Sequence, residues 1–297
     1  MGISRSQNLV PNPSFEDTVN CPTNPSQILY TQNWVSPTQG SPDYLNACST
    51  VNGNSVHVPN NGWGNQTAIA GVAYAGFYAF NKPFQEYREY IQTSLTASLV
   101  TSHKYLVSFY VSLAEASQYA VSSIGAYFSS NPGTSTTNSV LPYNPQVQNA
   151  SGNILSDKVN WMLIQDTLYA NGGEQYLTIG NFKLNNASDT LYLGLSSTNN
   201  VAYYFIDSVS VIDYGLTEIQ NENEKAIRIF PNPANSFITI ENLMPKNTFR
   251  ILNIIGVTVL SSQTETERID VSHLDPGVYF LEVKTEKGVF SKRFLKE

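Results

Sequence analysis

Residues 105–113 read Tyr-Leu-Val-Ser-Phe-Tyr-Val-Ser-Leu, which is the strongest strand signal in the chain. Aromatic and β-branched residues dominate it, and such residues favour extended strands whose side chains pack on a sheet face. Similar segments recur at regular intervals on both sides, separated by turn residues. The strands predicted in this part of the chain are 72–80, 88–95, 105–113, 124–128, 161–169, 176–182, 191–195 and 203–213.

The same region lacks a helical period, and only residues 117–121 have the character of a helical turn. Many short strands joined by turn-rich loops are typical of an antiparallel β-sandwich. Residues 214–226 are polar and acidic without alternation, which indicates a linker, and six or seven shorter strand segments follow it. The sequence therefore predicts an all-β chain with one β-sandwich at 8–213, a linker at 214–226 and a smaller β-sandwich at 227–297.

Composition separates these two parts and excludes several classes of protein. Only 13% of the 297 residues are charged, against about 25% in typical soluble proteins, and the formal net charge is −7. Residues 1–220 contain six basic and thirteen acidic residues, whereas 221–297 contain ten of each. The supply of apolar residues argues against intrinsic disorder, and the acidic balance argues against nucleic-acid binding. No apolar run reaches 18 residues, so we expect no membrane-spanning helix.

The cysteine count indicates an oxidising compartment. Cys21 and Cys48 lie in loop-like surroundings outside any Cys-x-x-Cys spacing, which favours one disulfide; two unpaired buried thiols are the alternative. The first eight residues contain no apolar segment of a signal peptide. We therefore expect that a signal peptide has been cleaved from the secreted protein.

The last 70 residues contain four sequence blocks in order. They are Ile-Phe-Pro-Asn-Pro-Ala at 229–234, Ile-Leu-Asn-Ile-Ile-Gly at 251–256, Ile-Asp-Val-Ser-His-Leu-Asp-Pro-Gly-Val-Tyr-Phe-Leu at 269–281, and Lys-Arg-Phe-Leu-Lys at 292–296. Proline and glycine after strand residues enforce turns, as a small sandwich requires. A small immunoglobulin-like spacer module would explain the turns, but not four ordered blocks.

These blocks resemble the type A C-terminal sorting domain of the Bacteroidetes type IX secretion system. The resemblance implies a small immunoglobulin-like β-sandwich that directs a folded cargo across the outer membrane, with the translocon and its shuttle protein as partners. It also implies a secreted or cell-surface location, and cleavage of the sorting domain would be expected in the linker. The sorting-signal residues carried over are Pro231, Asn232, Pro233, Gly256, Pro276, Gly277, Tyr279, Lys292 and Lys296.

The first part of the chain opens with Asn-Leu-Val-Pro-Asn-Pro-Ser-Phe-Glu at 8–16 and closes with Tyr-Tyr-Phe-Ile-Asp-Ser-Val at 203–209. These ends resemble Bacteroidetes surface domains and, more loosely, jelly-roll β-sandwiches of the galactose-binding and carbohydrate-binding-module kind. That resemblance implies a structural Ca²⁺ near the two ends, with Glu16 and Asp207 as carboxylate ligands. The alternative is that both carboxylates cap turns or accept backbone hydrogen bonds. Ser208 and Pro13 depart from the pattern of these modules.

Loop aromatics make candidate contacts for a sugar. Sugars present an apolar C–H face that stacks on an aromatic ring, and hydroxyls that pair with polar side chains. The candidate ligand-binding residues are Trp34, Asp43, Tyr44, Trp63, Tyr87 and Arg88. The alternative is that these aromatics form small cores under the loops and that Arg88 forms a structural ion pair.

Signatures of an enzyme are scarce: the sequence has no Gly-x-Ser-x-Gly, His-Glu-x-x-His, P-loop or dinucleotide-binding motif. The favoured function is therefore a non-catalytic, exported protein that binds glycan or another surface component, in a setting of adhesion or gliding. An accessory subunit that docks on a larger surface adhesin is one alternative. A polysaccharide hydrolase with two facing carboxylates is the other.

Overall fold

The computed structural model describes residues 7–50, 55–84, 86–194, 199–216, 228–241, 248–253, 257–263, 268–285 and 288–297. The chain divides into two compact units, Met1–Thr217 and Glu218–Glu297, and this division falls inside the predicted linker. Both units are built from antiparallel strands, as the all-β prediction requires. None of the helices within the described ranges has the length and apolar character that a membrane crossing needs.

The first unit is a jelly-roll β-sandwich. Its described strands are β1 (Trp34–Val35), β2 (Asp43–Asn46), β3 (Asn60–Asn61), β4 (Gly64–Asn65), β5 (Ala73–Asn81), β6 (Ile91–Ser94), β7 (His103–Leu113), β8 (Tyr119–Val121), β9 (Gly125–Ser129), β10 (Val147–Gln148), β11 (Met162–Tyr169), β12 (Tyr176–Gly180), β13 (Thr190–Tyr192) and β14 (Val201–Leu216). The two main sheets have the strand orders β1-β6-β12-β9-β10 and β11-β7-β14-β5-β2. Strands β5, β6, β7, β9, β11, β12 and β14 alternate between these two sheets along the chain.

The stretch that predicts the fold lies in β7, an inner strand of the second sheet. Tyr105, Val107, Phe109, Val111 and Leu113 all point into the space between the sheets, where they are buried. Strand β7 pairs with β11 on one side and with the long strand β14 on the other. The period of two along a strand thus supplies one wall of the core.

Two local predictions differ from the structure. Residues 119–121 form strand β8, paired with β13, rather than a helical turn. The last strand of the first unit continues to Leu216, three residues past its predicted end at residue 213. Strand β8 and the end of β14 both form because they pair with strands that are far away in the sequence. The strand propensity of a short segment does not indicate such pairing.

The second sheet is covered on both faces. Its outer face carries a smaller apolar cluster that includes Leu45, Tyr74, Tyr203 and Phe205, and the loop before β5 packs over it with Val58 and Trp63. This loop turns through the short ribbon of β3 and β4. A sheet covered in this way can hold aromatic side chains on both of its faces, so strict alternation with polar residues is lost.

The disulfide is present: Cys21 and Cys48 are joined, with their Cα atoms 5.9 Å apart. It ties the N-terminal segment to the loop after β2. Nearby, the buried Asn12 side chain donates to the carbonyls of Asp17 and Gln32 and to the Thr31 hydroxyl. The N-terminal loops are therefore fixed by one covalent link and by a dense set of hydrogen bonds.

The second unit is the smaller β-sandwich. Its described strands are β15 (Arg228–Phe230), β16 (Phe237–Glu241), β17 (Thr248–Asn253), β18 (Thr258–Gln263), β19 (Arg268–Asp270), β20 (Gly277–Thr285) and β21 (Gly288–Lys296). They form two sheets with the orders β15-β16-β19 and β18-β17-β20-β21. The apolar core between them includes Ile238, Ile251, Leu281, Val283 and Phe294.

The predicted sorting-signal residues that the structure describes lie in the turn after β15, at the start of β20 and on β21. Pro231, Asn232 and Pro233 form an exposed turn after β15, and the Asn232 side chain accepts a hydrogen bond from the backbone N–H of Leu295. Pro276 and Gly277 lead into β20, where Tyr279 stacks on Phe294 and its hydroxyl donates to the Asp275 carbonyl. Lys292 is exposed on β21, Lys296 is buried, and Gly256 lies outside the described residues.

Candidate ligand-binding site

The site forms on the outer face of the second sheet, where a glycine lets a tyrosine lie across the strands. Gly76 on β5 pairs with Asp43 on β2, and Tyr203 projects from β14 across Gly76. The Tyr203 hydroxyl donates to Asp43 Oδ2 at 2.5 Å. A Cβ atom at position 76 would lie 2.1 Å from that hydroxyl, so only glycine leaves room for the ring.

Trp63 covers Tyr203 from the solvent side. The two rings are stacked, with centroids 4.2 Å apart and planes 12° from parallel, and the indole N–H donates to Asp43 Oδ2 at 3.2 Å. Asp43 thus holds both rings, and it also accepts the backbone N–H of Ser26 at 2.6 Å. The face of Trp63 that points away from Tyr203 has no stacked ring on it among the described residues.

Tyr78 and Tyr87 extend the aromatic surface beside Trp63. Tyr78 is perpendicular to both Trp63 and Tyr203, with centroids 5.3 Å from each, and Tyr87 is perpendicular to Tyr78 at 5.7 Å. Trp63, Tyr78 and Tyr87 are half-buried, so each ring is fixed by neighbours while part of it reaches solvent. We call these three side chains the aromatic patch.

Glu89 supports the patch as Asp43 does. Its carboxylate accepts hydrogen bonds from the Tyr87 hydroxyl at 2.7 Å, from the backbone N–H of Tyr78 at 3.0 Å, and from the N–H and hydroxyl of Ser41 at 3.1 Å each. Two buried carboxylates on neighbouring segments therefore position all three rings of the patch.

Burial dominates the electrostatics of this site. Asp43 is 4% exposed and Glu89 is 1% exposed. Desolvation raises the pKa of Asp43 above its usual value, and this effect is larger than that of the three hydrogen bonds, which lower the pKa. Desolvation, with the nearby charge of Asp43, raises the pKa of Glu89 to about 7. Burial and the Glu89 charge also raise the pKa of Tyr87 to about 12, so its phenol stays protonated and donates.

Three of the predicted ligand-binding residues take structural roles instead. Trp34 is 1% exposed, lies against Phe15 and donates its indole N–H to the Asn12 carbonyl, so it presents no face to a ligand. Tyr44 is fully buried and donates its hydroxyl to the Phe15 carbonyl. Both are covered by the N-terminal segment, since Phe15 packs on the Trp34 ring and its carbonyl accepts the Tyr44 hydroxyl.

Arg88 is also fully buried. Its guanidinium donates to the carbonyls of Tyr87 and Lys183 and to the Asn185 side chain, and it lies 5.7 Å from the Phe80 ring centroid. The alternative role, a structural ion pair, is not formed either: none of the ion pairs among the described residues includes Arg88. Of the six predicted residues, the structure therefore brings together Asp43, Trp63 and Tyr87.

Glu16 and Asp207 lie at one turn, residues 69–73. Glu16 accepts the backbone N–H groups of Val72 and Ala73, and Asp207 accepts those of Ile69 and Ala70. Burial raises the pKa of Asp207 to about 6, and the Glu16 charge contributes. Both carboxylates hold backbone donors, and no cluster of three acidic, histidine or cysteine side chains suited to a metal occurs in the described residues. A calcium ion at this turn stays a prediction.

Tyr78, Tyr203 and Glu89 are not among the six predicted ligand-binding residues. The missed signal is the alternation Tyr74, Gly76, Tyr78 on β5, which places aromatic residues and one glycine on a single face. A glycine between two aromatic positions on one strand face indicates that a ring from a neighbouring strand lies across it.

Comparison with known proteins identifies the second unit. Residues 228–297 match the family described as secretion system C-terminal sorting domain. No curated protein sequence matches the chain. Similar solved structures include the CBM22-1 xylan-binding domain of Paenibacillus barcinonensis Xyn10C, at 15% identity, a TM-score of 0.40, and coverage of 71% of this chain and 97% of that one.

Two further structures are similar at low identity. The CBM22-1–CBM22-2 tandem of the same Xyn10C covers 99% of this chain and 90% of its own, at 11% identity and a TM-score of 0.41. PorZ, a surface component of the type-IX secretion system of Porphyromonas gingivalis, matches at 17% identity and a TM-score of 0.24. That match covers 31% of this chain and only 14% of PorZ.

Proposed function

We propose that this chain, which the sorting domain at residues 228–297 marks for export by the type IX secretion system, is a non-catalytic glycan-binding protein of the cell surface or the medium. The first unit binds the glycan through the aromatic patch, and the second unit engages the translocon and its shuttle protein. Adhesion or gliding is the setting that such a surface binding role fits.

The observation that carries the proposal is the fixed and partly exposed ring of Trp63. Tyr203 supports one face of the ring, and Asp43 holds its indole N–H. A ring that is already immobile loses little conformational entropy when a ligand stacks on it, so stacking yields more net affinity. Tyr78 and Tyr87 widen the surface, which suits a chain of sugar units better than a single one.

The carboxylates of the site favour binding over hydrolysis. Glycoside hydrolysis needs two carboxyl groups that reach the scissile bond from opposite sides. Asp43 and Glu89 lie beneath the rings, and their oxygens already accept hydrogen bonds from protein donors. Neither group is placed to give a proton to a sugar oxygen above the patch.

A glycan array with the full chain tests the proposal. Three proteins are compared: the wild type, Trp63→Ala, and the control Trp161→Ala, which removes a half-buried tryptophan outside the patch. We expect the wild type and the control to bind the same glycans, and Trp63→Ala to lose them while thermal unfolding shows that it is folded. The proposal fails if the folded wild type binds no glycan, or if the two variants bind equally.

A further inference from the structure

The carboxylates under the aromatic patch have no cationic partner among the described residues. The ion pairs in the described ranges are His103–Asp213, Arg228–Glu241 and Arg250–Glu282, and none of them involves Asp43 or Glu89. The donors that satisfy both carboxylates are neutral phenol, indole, hydroxyl and backbone groups. When Asp43 and Glu89 are ionised, their carboxylates are therefore hydrogen-bonded, but no positively charged side chain among the described residues is paired with them.

Arg88 is the nearest basic residue in the sequence, and it does not fill this role. Its guanidinium nitrogens donate to two carbonyls and to the Asn185 side chain, away from the Glu89 oxygens. Burial lowers the pKa of Arg88 below its usual value, and the Glu86 carboxylate opposes that shift. Burial and the nearby Asp43 charge raise the pKa of Glu89, as expected where no cation stabilises the ionised form.

The rings of the patch add to this negative character at the surface. The face of an aromatic ring is the negative pole of its quadrupole and attracts cations, most strongly for tryptophan. Here the Trp63 indole and the Tyr87 phenol each donate their proton to a buried carboxylate. Such donation polarises the rings further toward negative charge on their exposed faces.

We propose that the aromatic patch selects glycans that carry positively charged amino groups, and that it discriminates against glycans that carry carboxylate or sulfate groups. This inference rests on the proposed glycan-binding function and names the class of glycan. Each sugar stacks through its C–H face, and an ammonium group beside the stacked face gains both the ring quadrupole and the field of the two carboxylates. One well-placed ammonium is expected to tighten binding about tenfold.

The test uses oligosaccharides of equal length that differ in charge. Isothermal titration of the full chain at pH 8.5, where Glu89 is ionised, compares an N,N,N-trimethylglucosamine oligomer, whose positive charge does not depend on pH, an N-acetylglucosamine oligomer and a galacturonic acid oligomer. We expect the cationic oligomer to bind about tenfold more tightly than the neutral one, and the anionic oligomer to bind most weakly. Equal affinity for the cationic and neutral oligomers overturns the inference but leaves glycan binding intact, whereas no binding of any oligomer removes both.

Two further measurements separate a local effect from the general acidity of the chain. Glu89→Gln removes one charge under the patch, and Asp166→Asn removes one exposed charge on the distant edge strand β11. The preference for the cationic oligomer should fall several-fold in Glu89→Gln and stay unchanged in Asp166→Asn; an equal fall in both contradicts the inference.

The second measurement uses salt on the wild type, so it does not depend on how a variant folds. Raising the ionic strength screens charges but leaves ring stacking in place. The preference for the cationic oligomer should therefore shrink, while affinity for the neutral oligomer holds. A preference that is unchanged by salt contradicts an electrostatic origin.

Discussion

Gly76 is predicted to be the most sensitive glycine of the site, because the Tyr203 ring lies directly over it. A Cβ atom at position 76 would lie 2.1 Å from the Tyr203 hydroxyl oxygen, 2.6 Å from Cζ and 2.8 Å from Cε1. In Gly76→Ala the ring must therefore move off the sheet. That movement breaks its hydrogen bond to the buried Asp43 carboxylate and withdraws the support of Trp63.

The magnitude follows from two contributions. Overpacking a close-packed region costs about 1–3 kcal/mol. Loss of a hydrogen bond to a buried charged group costs about 1.5–3 kcal/mol. We expect Gly76→Ala to lower the free energy of unfolding of the first unit by about 3–5 kcal/mol, and to weaken glycan binding because Trp63 loses its backing ring.

Urea unfolding followed by tryptophan fluorescence measures this change without interference from the sorting domain. The three tryptophans are Trp34, Trp63 and Trp161, and all of them lie in the first unit. Gly62→Ala is the matched control: its Cβ would meet nothing closer than 3.5 Å, so it should cost less than about 1 kcal/mol.

A double-mutant cycle sharpens the test. Tyr203→Phe removes the same hydrogen bond, so Gly76→Ala combined with Tyr203→Phe should cost less than the sum of the two single changes. Equal costs for Gly76→Ala and Gly62→Ala, or strict additivity in the cycle, would refute the account of why position 76 is glycine.

Three further predictions concern stability, each measured by the same urea unfolding. Burial raises the pKa of Glu89 to about 7, so the folded state holds this proton more tightly than the unfolded chain. The free energy of unfolding should therefore fall as pH rises from about 4.5 to about 7, and Glu89→Gln should remove that part of the fall; the same slope in both proteins argues against it. Reducing the Cys21–Cys48 disulfide, whose partners are 27 positions apart, should cost about 3–4 kcal/mol; a loss below 1 kcal/mol would show that the unfolded chain gains little freedom from reduction. Asn12→Ala should cost about 3–5 kcal/mol, because three side-chain donor bonds disappear and φ of 47° suits asparagine better than alanine; an effect like that of an exposed substitution would contradict this role.

The fold was predictable because its determinants are local. Aromatic and β-branched residues indicate strand segments such as 105–113, and proline and glycine indicate the turns of the second unit. The four terminal blocks likewise identify the sorting domain without any structure. The lengths of β8 and β14 were less predictable, since pairing with distant strands decides where a strand ends.

The site was predictable only in part, because its contacts join distant positions. Trp34 and Trp63 both look like exposed loop aromatics in the sequence, but the N-terminal segment covers the first and leaves the second at the surface. Asp43 contacts Tyr203, which is 160 positions away, and no local pattern connects those two residues. Exposure of a loop aromatic depends on which remote segment packs over it, which is a property of the tertiary fold.

Two substitutions at Tyr87 test directly whether the glycan binds at the aromatic patch. Tyr87→Phe keeps the ring and removes the hydroxyl that Glu89 accepts, whereas Tyr87→Ala removes both. With the full chain and the neutral oligosaccharide that binds it best, titration should show near wild-type affinity for Tyr87→Phe and about a tenfold loss for Tyr87→Ala. Equal affinity in the wild type and in Tyr87→Ala would show that the aromatic patch is not where the glycan binds.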